Sequence, residues 1–117
     1  MRTIGELEVR GCEAAGYRLA GGQLEHVCCR HLHGADRMLT VWPDETRAIV
    51  VLVAPHGQGA GDVYEQLLEA LDLEMPGDAR EKPPCCDDEG EPPLDADLAQ
   101  GIADAVDRRA RSQRRRR

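Results

Sequence analysis

The chain has no phenylalanine, one tryptophan and two tyrosines among its 117 residues. A core without aromatic bulk must be filled by Leu, Val, Ile and Ala, so each buried residue removes little area from water and hydrophobic stabilisation is modest. Such a core gains from a partner or a second copy of the chain, and a homo-oligomer is one expectation. Long apolar runs are also missing. None approaches the ~18 residues a spanning helix needs, and no leader-like apolar segment follows Met1-Arg2. Cysteine is scarce and odd in number: five, with Cys28-Cys29 and Cys85-Cys86 adjacent. That count does not suggest a secreted disulfide framework. Together these absences predict a cytoplasmic protein with reduced thiols and no membrane association.

Charge is present but unevenly placed. The net charge is −7. Residues 1–75 carry six Arg against twelve acids, residues 76–107 two bases against ten acids, and residues 108–117 seven Arg and no acid. Nucleic-acid affinity comes largely from Lys and Arg neutralising phosphates, so an acidic core argues against extensive phosphate contact. Only the Arg-rich tail has the opposite character. It reads either as an interaction tail for nucleic acid or acidic protein, or as a segment folding back on the acidic stretch before it.

The pattern organises around Ala48–Val53, six apolar residues closed by Pro55. The run predicts a central β-strand covered on both faces. Before it, Leu24–His33 alternates and Arg37–Trp42 is rich in β-formers; Gly34-Ala35-Asp36 and Pro43-Asp44-Glu45-Thr46 supply the turns. At the start, Thr3 and Glu6 form a capping box for a short helix that ends at Gly16. After the strands, Asp62 and Glu65 cap a helix with Val63, Leu67, Leu68 and Leu71 on one face, and Met75-Pro76-Gly77 stops it. Leu94, Leu98, Ile102 and Val106 lie four apart and predict a further helix to about Ala110. The expected fold class is α+β: a short N-terminal helix, a three-stranded antiparallel sheet and a packed helix form a core over residues 1–75. An acidic, Pro-rich linker over 76–93 and a charged helix over 94–117 follow.

Two stretches could carry chemistry, the first in two ways. His26, Cys28, Cys29, His31 and His33 are five candidate metal ligands in eight residues, but on a strand they divide between two faces. The weightier reading is small core thiols with half-exposed imidazoles, so no metal is assigned and a small zinc-binding protein is the minor alternative. A Cys29–His31 nucleophile and base would stand ~6.5–7 Å apart along a strand, beyond direct contact. The loop Gly57-Gln58-Gly59-Ala60-Gly61 lacks the Lys-Ser/Thr of a phosphate loop, so no cofactor is expected.

Three segments also carry a resemblance: Leu19-Ala20-Gly21-Gly22-Gln23-Leu24-Glu25, Asp36-Arg37-Met38-Leu39-Thr40-Val41, and Ile49–His56 with Val63-Tyr64. Over about residues 7–64 the chain resembles the small toxin superfamily typified by RelE, ParE and HigB. The resemblance implies action on RNA or the translation machinery and an antitoxin-like protein partner. In this chain Arg37 would hold phosphate, His56 would act as acid or base, and Tyr64 would stack or donate a proton. The basic residues that follow the family's loop His are replaced by Gly57-Gln58, which implies reduced catalysis. The alternative is a non-catalytic interaction module that binds its partner through the acidic linker and the Arg-ended helix.

Overall fold

The computed structural model describes residues 11–19, 22–57, 62–73 and 84–115. Four strands form one antiparallel sheet in chain order: β1 (Tyr17–Arg18), β2 (Val27–His31), β3 (Asp36–Asp44) and β4 (Arg47–Pro55). Helices α1 (Val63–Leu71) and α2 (Ala96–Arg115) complete the α+β fold, with short 3-10 turns at Gly11–Ala14 and Gly22–His26. The sheet therefore has one strand more than the sequence predicts. β1 is too short to show alternation, and it is defined by pairing, Tyr17 opposite Cys29 and Arg18 opposite Cys28. The capping box at Thr3 and Glu6 lies outside the described residues; the described part of the N-terminal segment is the 3-10 turn.

The apolar run in β4 is not a central, two-sided strand. β4 lies at the margin of the described sheet, and Val50 and Val53 are 36% and 45% exposed. Its register with β3 slips after Leu52, because Leu39 faces Leu52 while Thr40 faces Val50. Ile49, Val51, Leu52 and Ala54 pack against the helix-side core, which is where the apolar content of β4 is used. The strand covered on both faces is β3, buried without interruption from Met38 to Pro43. Its neighbours β2 and β4 take both sets of main-chain groups, and layers above and below take both sets of side chains.

One face of the sheet is closed by helices. Val27 and Cys29 from β2 and Leu39 and Val41 from β3 meet Val63, Leu67 and Leu68 from α1 and Ala99, Ile102 and Val106 from α2. The four-residue spacing that predicts α2 is the spacing of its contacts, so packing is not confined to the first 75 residues. Each helix starts on an aspartate. Asp62 Oδ2 accepts the N–H groups of Tyr64 (3.0 Å) and Glu65 (3.1 Å), and Asp95 Oδ1 accepts that of Leu98 (2.9 Å). α1 ends at Leu71, where Asp72 turns left-handed with φ 54° and its N–H returns to Glu69 and Leu68; the expected stop at 75–77 lies outside the described residues.

The other face is closed by thiol chemistry. Its buried cluster is Cys12, Ala14, Ala15, Cys28, Met38, Trp42 and Cys85. Two disulfides run through it, Cys12–Cys86 and Cys28–Cys85, with Cα separations of 5.4 and 5.7 Å. This corrects the expectation of reduced thiols. Strand alternation sends Cys28 to this face and Cys29 to the helix face, so adjacent cysteines serve opposite layers. The described part of the stretch that composition marks as a linker, from residue 84 on, runs along the same face. Pro84 bridges Tyr17, Cys85 N–H donates to Gly16 O (3.0 Å), Arg18 Nε donates to Cys85 O (3.0 Å), and Leu94 bridges Trp42.

Gly16 lets the segment leading into β1 lie close against β2. Its φ is +86°, and a Cβ there would overlap the Cys29 carbonyl. In the chain-entropy picture each disulfide, closing separations of 74 and 57 residues, stabilises by about 4 kcal/mol, with overlap reducing the pair's total. Against this, Thr40 Oγ1 and Trp42 Nε1 are buried with no hydrogen-bond partner among the described residues, a cost of about 1–3 kcal/mol each.

Candidate active site

At the end of the helix face where β4 leads into α1, apolar packing gives way to a run of hydrogen-bonding side chains. The innermost is the Cys29 thiol, which is buried and outside both disulfides. Its Sγ lies 3.2 Å from Tyr64 Oη, Tyr64 Oη lies 3.1 Å from Tyr17 Oη, and Tyr17 Oη lies 3.2 Å from His31 Nε2. Cys29 and His31 share a strand face, two residues apart on β2. The two phenols, one from β1 and one from the first turn of α1, bridge them. The His31 ring also meets the Tyr17 ring edge-on, with centroids 5.6 Å apart.

His56 enters from the loop after β4. Its Nδ1 is 2.6 Å from Asp62 Oδ1, and its ring stands edge-on to Tyr64 at 4.8 Å between centroids. Asp62 is buried, and burial is the largest influence on it, pushing its carboxyl up. Hydrogen bonds from Gly57 N–H (2.8 Å), His56 and Glu65 N–H together outweigh burial and hold it below the ordinary aspartate value. With Asp62 ionised, the imidazole hydrogen sits on Nδ1, and Nε2 becomes the proton-accepting atom of a half-exposed ring. The phenols are shifted the other way. Burial, followed by the hydrogen bond to Cys29, raises Tyr64 far above the usual phenol range, and the same two causes lead for Tyr17. Both remain protonated donors at any physiological pH.

Arg37 reaches this group through the sheet. It pairs directly with His31 in the β2–β3 ladder, and its positive charge is felt at Tyr17, where it opposes the upward shift. One terminal nitrogen donates to Asp36 O (3.0 Å), while Nε is buried without a partner among the described residues.

The three residues singled out in sequence thus occupy one region: His56 against Tyr64, Tyr64 bonded to Tyr17, and Tyr17 bonded to the residue beside Arg37. Sequence reasoning missed Tyr17 and Asp62 as members, and weighed Cys29 and His31 only as a direct pair too far apart along the strand. Asp62 was legible as a cap, but not as the partner of a histidine six residues earlier. Tyr17 carried no signal, since its strand has two residues.

The other candidate chemistry disperses. Cys28 and Cys85 are bonded to each other and Cys86 to Cys12, which removes them from any zinc set. Among the described residues, the only group of three or more His, Cys, Asp or Glu at ligand spacing is Asp87, Glu89 and Glu91, all exposed. There Asp87 Oδ1 accepts the N–H groups of Glu89 and Glu91, a turn-forming role that holds its carboxyl below the usual range. The basic end of α2 is partly neutralised: Arg109 pairs with Glu69 of α1, and Arg111 with Asp107 one turn earlier at 2.9 Å. No described helix is long and apolar enough to cross a membrane.

Comparison with known proteins adds no relative: no protein-family model matches the chain, and no curated protein and no solved structure is similar to it.

Proposed function

We propose that the protein acts on RNA through the polar end of its helix face, as a RelE/ParE-like toxin-type protein of reduced activity. The observation that supports this reading is the grouping of Asp62, His56, Tyr64, Tyr17, His31 and Arg37 by contacts of 2.6–5.6 Å and one ladder pair. Arg37 is a permanent cation suited to a phosphodiester. His56, oriented by Asp62 through Nδ1, has Nε2 to take the proton of a ribose 2′-hydroxyl as its oxygen attacks the adjacent phosphorus. The bond from phosphorus to the 5′-oxygen breaks, and that oxygen needs a proton, which a neutral phenol held by a hydrogen-bond chain can help deliver. The net charge of −7 weakens affinity for long nucleic acid, in keeping with limited activity. On this reading the partners are RNA or the ribosome and an antitoxin-like protein that covers the site.

Inducible expression tests the proposal. Wild type should slow growth and deplete bulk messenger RNA, and the Arg37→Ala/His56→Ala double variant should do neither. In purified form, His56→Ala should lower RNA cleavage by ~100-fold or more, the scale of lost acid–base catalysis. If wild type and the double variant are indistinguishable in growth and RNA, the reading is wrong.

A further inference from the structure

The two faces of the sheet are closed in different ways, and the thiol-closed face has properties of a cover that can be released. Three of the seven residues in its buried cluster, Cys12, Cys28 and Cys85, are half-cystines, and Cys86 lies half-buried beside them. The remaining apolar seal is Ala14, Ala15, Met38 and Trp42, two of them small. Closing this layer also traps Thr40 Oγ1 and Trp42 Nε1 without partners, so water entering would satisfy both. The apolar cluster of this layer is smaller than that of the helix face, and two covalent bonds supplement it.

We infer that residues 84–94 form a redox-released cover over the outer face of the sheet, held by Cys12–Cys86 and Cys28–Cys85. Release is ordered. Cys86 is the most accessible of the four, whereas Cys28 and Cys85 are both fully buried, so a dithiol reductant reaches the outer bond first. A thiolate of the reductant attacks one sulfur of Cys12–Cys86 and forms a mixed disulfide. Its second thiol then displaces the protein sulfur, leaving two protein thiols and the oxidised reductant. A second equivalent opens Cys28–Cys85 in the same way once the outer bond is gone. Each bond thus takes two electrons and two protons from one dithiol. The helix face, which holds no disulfide, keeps α1 and its core in place.

The full chain carries its own reporter, since Trp42 is its single tryptophan and lies in the cluster. Titration with dithiothreitol should yield two thiols beyond Cys29 before the last two. Trp42 emission should rise and shift to longer wavelength with the second pair, while far-ultraviolet helix signal is retained. The Cys12→Ser/Cys86→Ser variant should lose the first step and reduce at least ~10-fold faster at Cys28–Cys85, with Trp42 still shielded before reduction. Trp42 that stays shielded in the fully reduced chain would overturn the inference, since packing would then hold the cover. Loss of helix signal together with Trp42 exposure would also overturn it, because the opening would be global.

Discussion

The helix face and the outer face of the sheet share the same strands, often the same consecutive residues, yet they are held by different physics. On the helix face, Leu39, Val41, Leu67 and Ile102 interlock as branched aliphatics of matching volume. On the outer face, alanines, one Met and one Trp leave packing thin, and two disulfides supply what shape does not. A chain poor in aromatics can close one layer by hydrophobic area, and the second then needs another device. The polar site belongs to the first layer, at the end where its apolar residues run out.

Core truncation should break the comparison most strongly. Ile102→Ala should cost about 2–5 kcal/mol in denaturant unfolding, and the same amount with and without reductant, because its neighbours lie on the helix face. Cys28→Ala/Cys85→Ala should cost about 2–4 kcal/mol, measured the same way, and should make a further Met38→Ala substitution cheaper than it is in the oxidised chain. Equal Met38→Ala costs in both backgrounds would show that the outer layer packs as firmly as the inner one.

Asp62→Ala removes a helix cap and the histidine's partner and should cost about 1 kcal/mol. The wild-type contribution of Asp62 has a defined pH window. Its folded value is depressed, so the stabilisation is full above the unfolded value of about 3.9 and is lost as pH falls through the lower folded value. Urea unfolding between pH 3 and 7 should therefore converge for wild type and Asp62→Ala at the acid end. Arg109→Ala should matter least, about 0–1 kcal/mol and less in high salt, since its partner Glu69 is half exposed.

The sequence made the elements legible where periodicity and end signals agree. Expected strands at 24–33, 37–42 and from 47 correspond to Val27–His31, Asp36–Asp44 and Arg47–Pro55, and the two Asp-started helices lie where their apolar spacing places them. What it hid has three physical causes. An all-apolar strand can be one-sided, as β4 is, because exposing two valines costs less than the pairing gains, whereas β3 buries Thr40 and reads as only partly apolar. Disulfide connectivity depends on which face a cysteine takes, and for Cys28 and Cys29 that was set by the register. Membership of the polar site depends on contacts between residues 47 positions apart, Tyr17 and Tyr64, which no local pattern encodes. A deletion of residues 76–117, attractive on composition as a test of the tail, would also remove Ile102, Val106 and two half-cystines, and so would dismantle both layers.

The absence of a side chain at Gly16 reaches both of them. Its bare α-carbon lets β1 lie against the Cys29 carbonyl on one side, while its own carbonyl receives Cys85 from the other. Adding a single methyl would lever the first strand off its neighbour, drawing the Tyr17 hydroxyl away from His31 and the cystine-bearing segment away from its anchor in the same movement. One hydrogen atom thereby sets the spacing on which a chain of hydrogen bonds and a covalent clasp both depend.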